Sequence, residues 1–184
     1  MALNLVFTTR EVKELIISAI VIAFVFAYHF VGGIPSLSLV GVSLIAVSTG
    51  FVFHELAHKV TAQRFGCWAE YRMWELGLIG AFFLVVVTGW LFIAPGAVYI
   101  MPGYFGISRR EDGIISASGA TANIALAILF LLIGFNFGAA INAWLALFNM
   151  IPFPPLDGSK VIRWNFAVWG ALVAVALLLL SISY

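Results

Sequence analysis

His54, Glu55 and His58 spell H-E-x-x-H. On a helix, residues at i and i+4 share one face, so two imidazoles at this spacing can bind a single tetrahedral zinc ion. The glutamate between them lies beside the open coordination position, where it can take a proton from an attacking water. That is the chemistry of metal-assisted hydrolysis. Its surroundings are unusual, because the chain is 64% hydrophobic and 9% charged, with a mean hydropathy of +1.13. A charged side chain at mid-membrane costs roughly 2.5–3.5 kcal/mol on insertion scales. A bound divalent cation makes such a cluster tolerable.

The elements that must position these residues are membrane helices. No soluble domain of 184 residues has this composition, and the long apolar runs lack the alternation of a transmembrane barrel. A net charge of +1 gives no case for nucleic acid. The lone Cys67 excludes an internal disulfide and a cysteine metal cluster. The first apolar run is too long for a signal-peptide core and reads as a retained helix. Runs at about 12–31, 38–65, 114–135, 139–150 with a broken continuation, and 165–182 are expected to cross the bilayer. A further stretch, about 76–100, reads as a helix, an Ala94-Pro95-Gly96 turn and a strand near Ala97–Ile100. If this stretch enters and returns, all nine Lys and Arg fall on one side; if it crosses, they split five against four. The positive-inside rule favours the first. The expected fold is therefore an all-α polytopic membrane protein, with five to six transmembrane helices, a re-entrant helix/strand element and a broken helix carrying Asp157. It forms a single membrane-embedded domain over 1–184 with no soluble domain. The N-terminus and the catalytic side face the cytoplasm of a multi-pass cell-membrane protein.

A hydrolytic zinc takes a third protein ligand. Glu11 and Glu14 are expected to precede the first helix, Glu70, Glu111 and Asp112 to lie in wet loops, and Glu75 to border an apolar segment. Asp157 stands apart. It follows an apolar helix through Asn149-Met150-Ile151-Pro152-Phe153-Pro154-Pro155-Leu156, where three prolines must break that helix, and Gly158 permits a tight turn. A broken membrane helix can aim a carboxylate inward. Small and polar residues form stripes on three segments: Ser43, Val47, Gly50, His54 and His58; Ser116, Gly119, Asn123 and Ala127; Asn142, Ala146 and Asn149. Such stripes let membrane helices approach closely.

H-E-L-A-H, then Gly119-Ala120-Thr121-Ala122-Asn123, then N-x-x-P-x-x-x-x-D-G from Asn149 to Gly158, resembles the site-2 protease family of intramembrane metalloproteases over roughly residues 38–163. Ala120 stands where that family usually has proline. The resemblance implies His54, His58 and Asp157 as ligands of one Zn2+ ion, and Glu55 as catalytic acid/base. It implies Asn149 as a group that binds substrate or stabilises the oxyanion, a task Asn123 could share. The implied partner is a transmembrane protein substrate within the lipid bilayer; oligomeric state is open. Two other classes compete: a membrane zinc transporter, and a non-catalytic scaffold stapled by zinc.

Overall fold

A computed structural model describes residues 6–104 and 106–183. Helix α1 (Thr9–Val31) is followed by α2 (Leu37–Arg64), strand β1 (Trp68–Met73), α3 (Glu75–Thr88) and strand β2 (Gly96–Met101). Then come α4 (Arg109–Leu132), α5 (Asn136–Asn149), α6 (Gly158–Trp164) and α7 (Phe166–Ile182). The long helices start at hydroxyl caps: Thr8 accepts from Glu11 N, Ser36 from Leu39 N, and Ser108 forms a reciprocal capping box with Glu111.

Among the described residues, only α1, α2 and α4 are long and apolar enough to cross a membrane. This corrects the expectation of five to six transmembrane helices. Apolar composition does continue through the other segments, but α3 and α5 have 14 residues each and α7 has 17. At 1.5 Å per residue, 14 residues reach about 21 Å, short of a hydrocarbon layer of about 30 Å. The all-α expectation is corrected too, because β1 and β2 pair antiparallel, with Met73 opposite Gly96 and Trp68 opposite Met101. The stretch expected to enter and return is the short helix α3 and a return loop leading to β2, closed where Trp74 N donates to Pro95 O at 2.8 Å. The strand expected near Ala97–Ile100 is β2; its partner β1 was not anticipated. In place of one broken helix there are two short ones, α5 ending at Asn149 and α6 starting at Gly158.

Three helices make the centre. The stripes on α2, α4 and α5 face one another: Ser43, Val47, Asn123, Ala127, Asn142 and Ala146 are all fully buried. Gly50 lets α5 close on α2, since a Cβ there would come within 2.7 Å of Asn142 Oδ1. Two acidic residues lie where the sequence did not put them. Glu11 and Glu14 belong to α1 itself, and Glu11 is buried against Lys59 of α2. Lys59 Nζ donates to both Glu11 oxygens at 2.7 and 2.5 Å, and Tyr71 N of β1 donates to Glu11 Oε1 at 3.0 Å. A buried pair is sustained only when its remaining polar positions are filled, and here the strand fills one. The result clamps α1 and β1 to α2 one residue beyond His58. Glu70, expected in a wet loop, is buried in β1 and takes a bond from Thr8 Oγ1 at 2.6 Å.

Candidate metal centre

His54 and His58 lie one turn apart on α2, buried, with their rings edge to face at 86°. Their Nε2 atoms are 2.9 Å apart. Asp157 reaches them from the turn before α6, its Oδ2 3.3 Å from His54 Nε2 and 3.0 Å from His58 Nε2. One ligand atom from each of the three lies within 4.8 Å of the others. Residues about a hundred positions apart thus converge on one point.

The hydrogen bonds behind the rings say what that point requires. His58 Nδ1 lies 2.8 Å from Ile115 O, a carbonyl that can only accept, so Nδ1 carries the proton. His54 Nδ1 lies 2.7 Å from Asn123 Oδ1. That amide is oriented by Asn123 Nδ2 donating to Gly50 O at 2.9 Å, so Oδ1 is an acceptor and His54 Nδ1 is protonated as well. In the neutral rings both Nε2 atoms are therefore bare lone pairs, aimed at each other and at a carboxylate oxygen. Three acceptors this close need a cation among them, either protons or a metal ion. Burial works against the Asp157 charge, but an imidazolium at His58 and hydrogen bonds from both rings outweigh it, holding the carboxyl well below the usual carboxylate range. A metal ion in place of those protons also takes the ionised form. Two imidazoles and a carboxylate, each ring with its outer nitrogen bonded, make a donor set suited to zinc.

Space for the two rings comes from Gly119 of α4. A Cβ there would lie 2.6 Å from His54 Cε1 and 2.6 Å from His58 Nε2. Gly158 serves the carboxylate: it packs directly on Met150 O, so the turn after α5 folds back tightly and delivers Asp157.

Glu55 lines the same cavity of about 190 Å3, with Phe51, Val98, Phe148, Asn149 and Lys160 among the other lining residues. Its Oε2 is buried without a hydrogen-bond partner, and the Val98 backbone amide is directed at this side chain. An unpartnered buried carboxylate oxygen is costly, by about 1–3 kcal/mol, and it belongs to a residue that lines the cavity. Asn149 borders the cavity, its Nδ2 donating to Leu145 O at 3.0 Å. Asn123 is fully buried, and its side chain is engaged behind His54. Glu75, the weak alternative ligand, is exposed at the start of α3.

Proteins of three organisms are similar in sequence to this chain over most of its length. A "putative zinc metalloprotease" of Methanocaldococcus jannaschii is 44% identical over 186 aligned positions, covering 94% of this chain and 93% of its own. The chain belongs to this zinc metalloprotease family. Proteins described in the same words are 28% identical in Bacillus subtilis, over 69% of this chain and 70% of theirs, and 25% identical in Mycolicibacterium smegmatis, over 79% and 71%. No family model and no solved structure matches the chain. Family membership, the converging His-His-Asp group and the long apolar helices describe a multi-pass, membrane-embedded protein with a metal-binding site.

Proposed function

We propose that this chain is an intramembrane metalloprotease of the site-2 protease type, which hydrolyses peptide bonds in membrane-spanning segments of other proteins. The observation that carries the reading is Glu55, with an unpartnered carboxylate oxygen, lining a cavity beside three converging ligand atoms. A structural staple has no use for a free carboxylate there. A transporter needs further ligand groups along a path, and among the described residues His54, His58 and Asp157 are the one such group.

In this reading His54, His58 and Asp157 would hold one zinc ion, which would supply Lewis acidity when bound. Glu55 accepts the proton of the attacking water and passes it to the leaving amine. Asn149 contacts the substrate carbonyl as negative charge grows on its oxygen. Asn123 acts from behind, holding the His54 ring. The free edge of β2 receives the unwound substrate as an added strand. Apolar lining from Ile22, Phe51, Phe92, Ile93 and Phe148 suits a peptide drawn from lipid. By the positive-inside rule the N-terminus and the site lie on the cytoplasmic side.

The test uses purified protein, reconstituted with a transmembrane substrate. Glu55→Gln should keep zinc at the wild-type stoichiometry and lose cleavage by about 10²–10⁴-fold, the range for a general base. Full cleavage by this variant would exclude the assignment.

A further inference from the structure

Asn142 lies on α5, fully buried, and does not line the cavity. Its Nδ2 donates to Gly138 O at 2.9 Å and to Ala46 O of α2 at 3.3 Å. Both partners are carbonyls, so backbone geometry alone sets which way this amide points. Its Oδ1 is thereby turned to α4, where it accepts from Asn123 Nδ2 at 3.1 Å. Asn123 in turn shows its own Oδ1 to His54 Nδ1 at 2.7 Å. Every link in this series has one permitted polarity, from two peptide carbonyls to the ring nitrogen.

We propose that Asn142 is a positioning residue for the metal: acting through Asn123, it keeps His54 in the tautomer whose Nε2 is free to bind zinc. The alternative state shows why one bond matters. If the Asn123 amide turned over, its NH2 group would face His54 Nδ1, and the ring proton would move to Nε2. The ligand lone pair would then point away from His58 and Asp157. In that state Asn123 Oδ1 would also face Gly50 O and Asn142 Oδ1, oxygen against oxygen. Asn142 supplies one of those two repulsions in addition to its bond. The inference rests on zinc binding by His54, as proposed above.

A direct outer partner of a metal ligand is worth 10–100-fold in affinity, and a residue one link further out should be worth less. Zinc affinity is measured by competition with a chelator. Asn142→Leu, similar in volume without the acceptor, should weaken binding by about 3–10-fold. Asn142→Asp keeps an acceptor for Asn123 while losing the bonds to Ala46 and Gly138, and should bind at or above wild-type affinity. Should the leucine variant not fold, Asn142→Ser, whose hydroxyl is too short to reach Asn123, is expected to show the same loss. Combined with Asn123→Ala, which removes the intermediary, the Asn142 substitution should cause no further loss. In metal-free protein labelled with 15N-histidine, His54 Nδ1 should stay protonated in the wild type and be partly deprotonated in the leucine or serine variant. Equal losses for the aspartate and leucine variants, additive losses in the double variant, or an unchanged tautomer would each overturn the inference. Wild-type protein that takes up no zinc would sink the metal reading itself, and this inference with it.

Discussion

At the scale of single residues, the site depends as much on one missing side chain as on those present. Gly119 faces both imidazoles, and the nearest atoms of His54 and His58 already lie where a methyl group would go. Alanine is a better helix former than glycine by about 1 kcal/mol, so Gly119→Ala should leave α4 helical while its methyl displaces the rings. Zinc content after dialysis should fall at least tenfold, with helicity by circular dichroism unchanged. Gly41→Ala on α2, where a Cβ would meet nothing within 4 Å, is the control and should bind normally. Unimpaired zinc uptake by the Gly119 variant would show that the rings can move aside. The pairing of His54 with His58 was legible from spacing along one helical turn, and Asp157 from its proline-broken segment together with the family resemblance; the three do converge. Gly119 was legible as a small residue in a stripe and as the head of a motif shared with the resembled family, but not as the neighbour of the imidazoles. That it faces the imidazoles depends on how closely α4 approaches α2, which spacing along either helix does not encode. Asn123 likewise stood out as polar, but its place behind His54 follows from that same approach.

At the scale of elements, β2 combines a paired edge with a free one. Tyr71 and Met73 of β1 donate their N–H groups to Glu11 and Glu14, away from the sheet. In an antiparallel pair, residues alternate in direction, so Glu70 and Arg72 face β2 and pair with Tyr99 and Ala97. Gly96, Val98 and Ile100 must therefore point their N–H groups to the open side, in agreement with the approach of the Val98 amide to Glu55. Val98→Pro removes the open-side donor that approaches Glu55 and spares the β1 ladder, Ile100→Pro removes an open-side donor further along the same edge, and Tyr99→Pro removes a ladder donor. If substrate adds as a strand, Val98→Pro and Ile100→Pro should each cut cleavage by at least tenfold at unchanged zinc content and thermal stability. Tyr99→Pro should lower stability as well. Wild-type cleavage by either open-side variant would remove the strand-addition step. The run of β-prone residues after the Pro95-Gly96 turn made β2 visible in the sequence. Its partner was not visible, because Trp68–Met73 carries Glu70 and Arg72 and reads as a solvated loop. Those charges are accommodated by Thr8 and by each other, through contacts as distant as 62 residues along the chain.

At the scale of the whole molecule, hydropathy overcounted the crossings. It sums apolar residues without seeing where a helix stops. The segments it added, α3, α5 and α7, are short helices interrupted by Gly89, by the proline-rich turn after Asn149 and by Asn165. Irregular backbone inside a membrane protein is tolerated where protein or water covers it, and the turn after α5 is where Asp157 is presented. One proposed ion would therefore join α2, in the middle of the three long helices, to a turn that follows the last of them. An ion that binds the folded state alone adds stability as RT ln(1 + [L]/Kd), about 2.7 kcal/mol at a hundred times Kd. For a chain of this size that corresponds to about 5–10 °C in the unfolding midpoint. Wild-type protein in detergent should show this shift between zinc-loaded and chelator-treated samples. Asp157→Ala should abolish it, by cutting the tie to α2 while leaving both histidines in place. Glu55→Gln, which removes no ligand, should retain it in full. A midpoint that is indifferent to zinc, or a shift that survives loss of Asp157, would mean that the two histidines bind the ion without the distant carboxylate. The link between the helices would then have to come from packing alone.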